Sequence, residues 1–202
     1  MNPLAVAVLA SVITASHCEQ VHPIWQNESR LREYQIAWNS LNKSSDITYY
    51  QIKATELEST DVYTNHGTLK TNFTCWTVNI KDLNETGETA VRWYRYLRNA
   101  TREVFFKDVR VNTVSKFNYT IKNAVEYKYQ DEKTADPVIF TDGEMCDLFN
   151  VPRMSPEGGC ELWVKSDYKD NVPPCCSFIY DLLCDVEKSY KIYEQKLCSK
   201  VA

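Results

Sequence analysis

The sequence contains few of the residues on which most enzyme and metal sites depend. Histidine occurs only at positions 17, 22 and 66, so no Ser/His/Asp arrangement is visible, and the five glycines form no phosphate-binding loop. The eight cysteines include no Cys-x-x-Cys pair, which argues against a zinc or redox site. These absences favour a binding protein without metal or cofactor over an enzyme.

Two further absences exclude other classes of protein. No apolar run reaches the roughly 18 residues of a membrane-spanning helix. The formal net charge of −4 provides no basic field, which argues against nucleic-acid binding. The chain has no internal repeats, low-complexity tracts or linkers, and 202 residues suit one domain with its own core. We therefore expect a monomeric single domain with a small-molecule partner.

The N-terminus has the pattern of a secretory signal peptide. Pro3–Ala15 is an apolar run with the length of such a peptide's central region, and it ends in small residues. We expect residues 1–16 to form the signal peptide, with cleavage after Ser16 or as late as Cys18, and residues 17–202 to form the domain. The mature protein is then extracellular.

Cysteine and asparagine usage agrees with secretion. In an oxidising compartment the cysteines are expected to form disulfides. They are Cys18, Cys75, Cys146, Cys160, Cys175, Cys176, Cys184 and Cys198. Six Asn-x-Ser/Thr sequons are candidate glycosylation sites, at Asn27, Asn42, Asn72, Asn84, Asn99 and Asn118. Since an occupied site must face water, they predict a heavily glycosylated surface.

The hydrophobic pattern predicts a helix, a long run of strands and a second helix. One stripe at helical spacing indicates an N-terminal amphipathic helix of about four turns; it consists of Leu31, Tyr34, Ala37, Trp38 and Leu41. A second stripe indicates a C-terminal helix on the outside of the sheet; it consists of Cys176, Ile179, Leu183, Val186, Tyr190 and Tyr193. Nine segments between them alternate with period two and predict strands; they read TYYQIKATEL, NFTCWTVNI, TAVRWYRYL, REVFFKDVRV, SKFNYTI, NAVEYKYQ, PVIFTD, CDLFNV and CELWVK.

This order of elements narrows the fold. Short consecutive strands without intervening helices suggest an antiparallel meander, closed as a barrel or folded as a sandwich. Flanking helices fit the lipocalin type, an all-β fold with an eight-stranded antiparallel barrel and an N-terminal and a C-terminal α-helix. The interior of such a barrel holds side chains or one small ligand. The 13 Tyr and 5 Trp favour a pocket, because their polar tips are disfavoured in a dry core.

The stretch from Cys146 to Trp163 is predicted to be a hairpin that carries two acids. Successive residues of a strand face opposite sides, so only one of Cys146 and Asp147 points inward. If the cysteine forms a disulfide outside, Asp147 points in. The same argument turns Glu161 inward if Cys160 is bonded outside, and Trp163 then shares the face of Glu161. The hairpin therefore predicts that Asp147, Glu161 and Trp163 line one cavity.

The chain resembles the tick salivary lipocalins, which include the histamine-binding proteins. Matching pieces occur in the family's order over nearly the whole mature chain: AWNSL, YYQIKAT, NFTC, CDLF, CELW and PPCC. The most specific is Cys146-Asp147-Leu148, a spacer of twelve residues, and Glu161-Leu162-Trp163. The family's biogenic-amine-binding motif has this pattern. The resemblance also implies the disulfides Cys75–Cys198 and Cys146–Cys176, suggests Cys18–Cys175, and leaves Cys160 for Cys184.

The resemblance implies a secreted glycoprotein of tick saliva that sequesters histamine or serotonin and so blunts host inflammation and defence. A buried ammonium needs carboxylates, and aromatic faces add about 0.5–2 kcal/mol. Asp147 and Glu161 would be the acids, Trp163 an aromatic wall and Tyr127 a further pocket residue. Family members draw more acids from the end of the first strand and from mid-barrel; the nearest residues here are Glu56, Glu58 or Asp61 and, in mid-barrel, Asp108.

Two other functions remain open at this point. Other tick lipocalins bind lipid mediators such as leukotrienes or thromboxane, whose carboxylate needs a cation. Arg92, Arg95, Arg102 and Arg110 are the candidates for that role. The last alternative is a surface that binds a host protein such as a complement component. Six glycans argue against it, because they would leave little bare surface.

Overall fold

The computed structural model describes residues 23–64, 67–155, 158–184, 186–199 and 201. The predicted signal peptide, Cys18 and the three histidines lie outside these residues. The helices are α1 Glu28–Leu31, α2 Ala37–Leu41, α3 Pro174–Leu183 and α4 Gln195–Cys198. The strands are β1 Tyr49–Ala54, β2 Ser59–Thr64, β3 Gly67–Asn84, β4 Thr89–Arg98, β5 Val104–Val114, β6 Ala124–Tyr129, β7 Glu132–Thr141, β8 Cys146–Val151, β9 Gly159–Lys165 and β10 Tyr190–Lys191. In the described part of the chain, every helix is too short or too polar to cross a membrane.

Eight antiparallel strands form a closed barrel. Their order is β1-β9-β8-β7-β6-β5-β4-β3, and β1 closes the circle by pairing with β3, where Tyr49 lies opposite Val78. The remaining strands are additions: β2 extends β3 as a hairpin, and β10 pairs with the end of β1. The predicted lipocalin-type eight-stranded barrel is therefore confirmed.

Two apolar clusters stabilise the barrel from inside and outside. The inner cluster includes Val125, Val138 and Phe149 and is closed by Ala37 and Leu41 of α2. The outer cluster lies between the barrel wall and the C-terminal segment and includes Leu148, Leu162, Val164 and Tyr180. Each such side chain contributes about 1.5–3 kcal/mol on burial. Because α2 fills the end of the barrel where β1 begins, the free interior space lies towards the end of β1.

The N-terminal helix is not continuous as predicted. A 3₁₀ turn at Arg32–Tyr34 separates α1 from α2. Gln35, between them, is fully buried; its amide nitrogen donates to the carbonyl of Trp25 at 2.7 Å, and the hydroxyl of Tyr119 donates to its amide oxygen at 3.0 Å. These tertiary hydrogen bonds hold Gln35 in a non-helical conformation, which local periodicity does not reveal.

The C-terminal helix is also shorter than its pattern predicts. Helix α3 ends at Leu183, and Cys184 adopts an extended conformation while bonded to Cys160. Beyond it the chain returns to the barrel, where the N–H of Ile192 donates to the carbonyl of Ile52 at 2.9 Å. The disulfide and the pairing of β10 with β1 thus replace the predicted last turns of helix.

One predicted strand is wrong and one strand was not predicted. The segment Ser115–Ile121 is a loop: Phe117 and Asn118 have φ of 56° and 58°, so two consecutive residues leave the extended conformation of a strand. It is held to the N-terminal segment by the hydroxyl of Tyr119, which donates to the carbonyl of Trp25 at 2.9 Å. Strand β2, by contrast, lies in a stretch that the sequence pattern left between two strands.

Three disulfides join the C-terminal segment to the barrel: Cys75–Cys198, Cys146–Cys176 and Cys160–Cys184. These are the same pairs that the family resemblance implies. Each typically stabilises a fold by about 2–4 kcal/mol. Cys175 is exposed and forms no disulfide with a described cysteine. Its expected partner, Cys18, lies outside the described residues.

Candidate ligand-binding site

The larger interior cavity opens at the end of the barrel opposite α2. The space between its walls amounts to about 670 Å³, part of which is open to solvent. Its aromatic walls are Phe73, Trp76, Tyr94, Tyr127 and Tyr129, its acids are Glu56, Glu58, Asp136 and Glu161, and its bases are Lys107 and Arg153. The cavity therefore combines an excess of carboxylates with aromatic faces.

Two of these acids lie within the barrel and lack a cationic partner. Asp136 is 7% exposed, and Glu161 keeps some solvent contact through the cavity although protein atoms surround it. Among the described residues, no lysine or arginine nitrogen lies within 4 Å of either carboxylate. Each accepts a neutral hydrogen bond: Asp136 from the hydroxyl of Tyr127 at 3.0 Å, and Glu161 from the indole N–H of Trp163 at 3.1 Å.

The environment of this carboxylate pair disfavours its negative charges. Burial, with the nearby charge of Glu161, raises the pKa of Asp136 to about 7. Burial also raises the pKa of Glu161, while the charge of Arg153 opposes that rise. Burial and the charge of Asp136 raise the pKa of Tyr127, so its phenol remains a donor at neutral pH. A cation placed between the two acids would offset the cost of their ionisation.

Arg153 lies at the mouth of the larger cavity without pairing directly with Asp136 or Glu161. Its Nε donates to the hydroxyl of Tyr127 at 3.0 Å, and its guanidinium pairs with Glu58 at 3.4 Å. The guanidinium also lies 5.0 Å from the centre of the Tyr129 ring. Glu58 at the rim therefore neutralises most of the charge of Arg153, and the carboxylates of Asp136 and Glu161 deeper in the cavity remain available to a ligand.

A second, smaller cavity lies closer to α2. It encloses about 290 Å³ and is lined by Ser40, Tyr49, Val78, Ile80, Arg92, Tyr94, Asp147, Phe149 and Trp163. Tyr94 lines both cavities, and the indole of Trp163 reaches from this one to Glu161 in the other. The two spaces are thus neighbours separated by side chains.

The acid of the smaller cavity already has a partner. Nζ of Lys43 lies 3.5 Å from Oδ1 of Asp147, and both side chains are almost completely buried. Thr141 also donates its hydroxyl to Asp147 at 2.5 Å. Burial raises the pKa of Asp147, and Lys43 and Thr141 oppose that rise. Arg92, buried over the ring of Phe149, adds a second cation to the same space.

The structure separates the residues that the hairpin argument assigned to one cavity. Asp147 and Glu161 both face the interior, but the register pairs Asp147 with Trp163 and Glu161 with Phe149. Glu161 therefore lies two residues nearer the open end of the barrel than Trp163 does. Two residues along a strand span about 6.6 Å. As a result Glu161 lines the larger cavity, whereas Asp147 and Trp163 line the smaller one.

The other predicted site residues divide between the interior and the surface. Tyr127 and Glu56 line the larger cavity, as does Glu58. The prediction for Asp108 is wrong: it is exposed, because its neighbours Lys107 and Val109 on β5 face the cavity and alternation turns Asp108 outward. Asp61, the remaining acid considered for the first region, is exposed on β2.

Of the four arginines considered for a carboxylate ligand, only Arg92 lines an interior cavity. Arg95 lies over the outer ring of Trp93, and Arg102 and Arg110 are exposed. The candidate glycosylation sites are exposed at Asn27, Asn42, Asn84, Asn99 and Asn118, while Asn72 is half-buried.

Sequence reasoning missed Asp136, Arg153 and Lys43. Asp136 directly precedes the predicted strand PVIFTD and lies outside it, although β7 runs through both. The alternation of Thr134, Asp136 and Val138 was the signal that could have placed Asp136 inside. Arg153 and Lys43 lie in connecting segments, whose side-chain directions follow no period.

Comparisons with known proteins match most of this chain to one family. The family model for the tick histamine-binding protein matches residues 25–200. A male-specific histamine-binding salivary protein from Rhipicephalus appendiculatus is 32% identical over 178 residues, or 85% of this chain and 84% of the relative. Female-specific histamine-binding protein 1 from the same tick is 28% identical over 171 residues, covering 83% and 84%. Among solved structures, japanin from R. appendiculatus bound to cholesterol aligns with a TM-score of 0.48 and 16% identity over 74% of this chain and 94% of that one.

Proposed function

This chain belongs to the tick histamine-binding protein family, and we propose that it is a secreted protein that sequesters a small host amine, histamine or serotonin, in its larger cavity. Sequestration would lower the free concentration of the amine at the feeding site and so blunt host inflammation. Binding alone achieves this, so the proposal includes no catalytic step.

The observation that carries this proposal is the pair of interior carboxylates Asp136 and Glu161, neither of which forms an ion pair with a described lysine or arginine. An ionised carboxylate removed from water is costly unless a positive charge compensates it. A ligand ammonium about 4 Å from a carboxylate gains about 4 kcal/mol at an effective dielectric constant near 20. Aromatic faces such as that of Tyr94 add about 0.5–2 kcal/mol. The pair therefore favours a compact organic cation with an aromatic ring.

Two further observations support the proposal. The relatives named above are called histamine-binding, and one is called salivary, which supports both the ligand class and secretion. The N-terminal sequence also has the pattern of a signal peptide. A choice between histamine and serotonin depends on the fit of the ring against Trp76, Tyr94 and Tyr127, which line the larger cavity.

A lipid mediator is the second candidate ligand. Lys107 and Arg153 line the mouth of the larger cavity and could pair with a ligand carboxylate, while Phe73 and Val109 offer apolar surface for an acyl chain. The interior acids Asp136 and Glu161 work against this candidate, because they would face the hydrocarbon portion of the ligand, which offers no group that pairs with them.

Titration of the purified protein with histamine, serotonin and a leukotriene, followed by tryptophan fluorescence, tests the proposal. Trp76 lines the larger cavity and Trp163 donates to Glu161, so an occupied site should change the emission. We expect at least one amine to quench at micromolar concentration. A response to the leukotriene with none to either amine would replace the leading proposal with the lipid candidate.

A further inference from the structure

We propose that Lys43 acts as a built-in ammonium that occupies the amine position of the smaller cavity, so that only the larger cavity accepts a ligand amine. The inference rests on the proposed function for the class of ligand. It assigns to Lys43 the role of a specificity-determining residue, which sets how many amines one chain binds.

The contacts of Lys43 reproduce those expected of a bound amine. Its Nζ lies 3.5 Å from a carboxylate oxygen of Asp147 and 4.9 Å from the centre of the Tyr49 ring. Its side chain is only 2% exposed, and its ammonium is buried without a hydrogen bond to any described group. A carboxylate and an aromatic face therefore hold a primary ammonium that is supplied by the chain itself.

The local backbone brings Lys43 to this place. It follows directly after α2, the helix that closes the barrel, and its N–H donates to the carbonyl of Leu41 at 2.7 Å. Leu41 is fully buried in the inner cluster, which anchors the start of the lysine side chain beside the smaller cavity. The ammonium is thus tethered next to Asp147 rather than free to exchange with solvent.

The balance of charge in the two cavities leads to the same inference. The smaller cavity has one acid, Asp147, which pairs with Lys43, and a second buried cation, Arg92, whose charge also interacts with Asp136. Arg92 forms no ion pair within 4 Å among the described residues. A second ammonium would therefore meet repulsion there. In the larger cavity no lysine or arginine nitrogen of the described residues lies within 4 Å of Asp136 or Glu161, so a ligand ammonium finds unpaired carboxylates on that side.

The test is to remove the tethered ammonium and count bound histamine by isothermal titration calorimetry. We expect Lys43→Ala to bind one more equivalent than the wild-type protein, because the substitution vacates the position beside Asp147. Two matched variants should gain none: Lys43→Arg keeps a cation there, and the double variant Lys43→Ala with Asp147→Asn removes the carboxylate as well. An unchanged stoichiometry in a folded Lys43→Ala variant would overturn the inference.

This design separates the inference from the proposed function. If the wild-type protein binds neither histamine nor serotonin, the proposed function fails, yet a gain of one equivalent of histamine in Lys43→Ala still supports the role of Lys43. If the wild-type protein binds one equivalent and the variant also binds one, the proposed function stands and the inference fails.

A second measurement covers the case in which Lys43→Ala folds poorly. Lys43→Ser keeps a small polar side chain and leaves the position beside Asp147 open, and the melting temperatures of this variant and of the wild-type protein are compared in ethylammonium chloride and in sodium chloride. We expect ethylammonium, relative to sodium, to raise the melting temperature of this variant by more than that of the wild-type protein, which offers only the larger cavity. An equal change in the two proteins would contradict the inference.

Discussion

Asp136→Asn should make the ligand-free protein more stable and its amine binding weaker. Asparagine has nearly the same shape as aspartate and its amide oxygen can still accept the hydrogen bond from Tyr127, which spans 3.0 Å in the native protein. The substitution therefore removes one negative charge and little else. A charged group that binds a ligand but does not stabilise the fold should have these opposite effects when it is removed: higher stability and weaker binding.

The magnitude of the stability change follows from the raised pKa of Asp136. At 1.36 kcal/mol per pH unit, a pKa of about 7 in place of 3.8 corresponds to about 4 kcal/mol. Because the folded-state pKa is raised, the folded protein retains this proton more tightly than the unfolded chain does. The free energy of unfolding therefore falls as pH rises from about 4 to about 7, and the full penalty is present above that range. Asp136→Asn should therefore raise the free energy of unfolding by up to about 4 kcal/mol at a pH of about 8, and by almost nothing at a pH of about 4.

The expected loss of binding is of similar size. Removing one carboxylate of a buried charge contact typically costs at least 2–3 kcal/mol, which corresponds to a roughly 30- to 160-fold weaker affinity. Calorimetric titration with histamine and serotonin measures this loss, and denaturant unfolding of the ligand-free protein measures the gain in stability.

Asp108→Asn is the matched control for this prediction. It makes the same change of charge on the outer face of β5, where the side chain is exposed, and should alter neither quantity. An Asp136→Asn variant that binds amines as tightly as the wild-type protein would refute the assignment of Asp136. A variant that is less stable at pH of about 8 would refute the argument from its unpaired charge.

Three further predictions follow from the same cavity. Amine affinity should fall below a pH of about 7 by up to about tenfold per pH unit, because Asp136 must lose its proton before it pairs with the ligand. Titrations at several pH values measure this, and an affinity that does not change with pH would contradict it. Glu161→Gln should weaken an amine by roughly the same factor as Asp136→Asn and leave a lipid nearly unaffected in the fluorescence titration; an equal loss of both would indicate misfolding. Arg153→Gln should strengthen amine binding several-fold, because it removes a positive charge from the mouth of the cavity, and it should weaken the binding of a leukotriene. Weaker amine binding would show instead that Arg153 positions Tyr127.

The class of fold and the orientation of the motif acids could be predicted from the sequence. Period-two alternation over consecutive segments predicts a meander, and the barrel is its closed form. A disulfide cysteine on the outer face turns its neighbour inward, and the structure has Cys146 and Cys160 in the outer cluster with Asp147 and Glu161 facing the interior. These features depend on local geometry, which a strand imposes on every adjacent pair of residues.

The helices were predicted less well, because their limits depend on distant partners. Leu31 and Leu41 lie on one helical stripe, yet the buried amide of Gln35 interrupts the helix to bond with the carbonyl of Trp25. The stripe that ends at Tyr193 likewise continues past the point where the Cys160–Cys184 disulfide ends α3. Periodicity describes which residues are apolar, but it does not contain these tertiary bonds.

The sequence by itself determined the barrel, its family and the inward direction of the two acids in the Cys-Asp…Glu-Leu-Trp motif. Only the tertiary structure decided which acids remain unpaired. Lys43, distant in the chain, reaches Asp147 at 3.5 Å, while Asp136, outside the predicted strand PVIFTD, lines the same cavity as Glu161. The physical reason is that a carboxylate's availability to a ligand depends on which cations approach it through space. Alternation along a strand determines the face of a side chain and carries no information about its partner across the barrel.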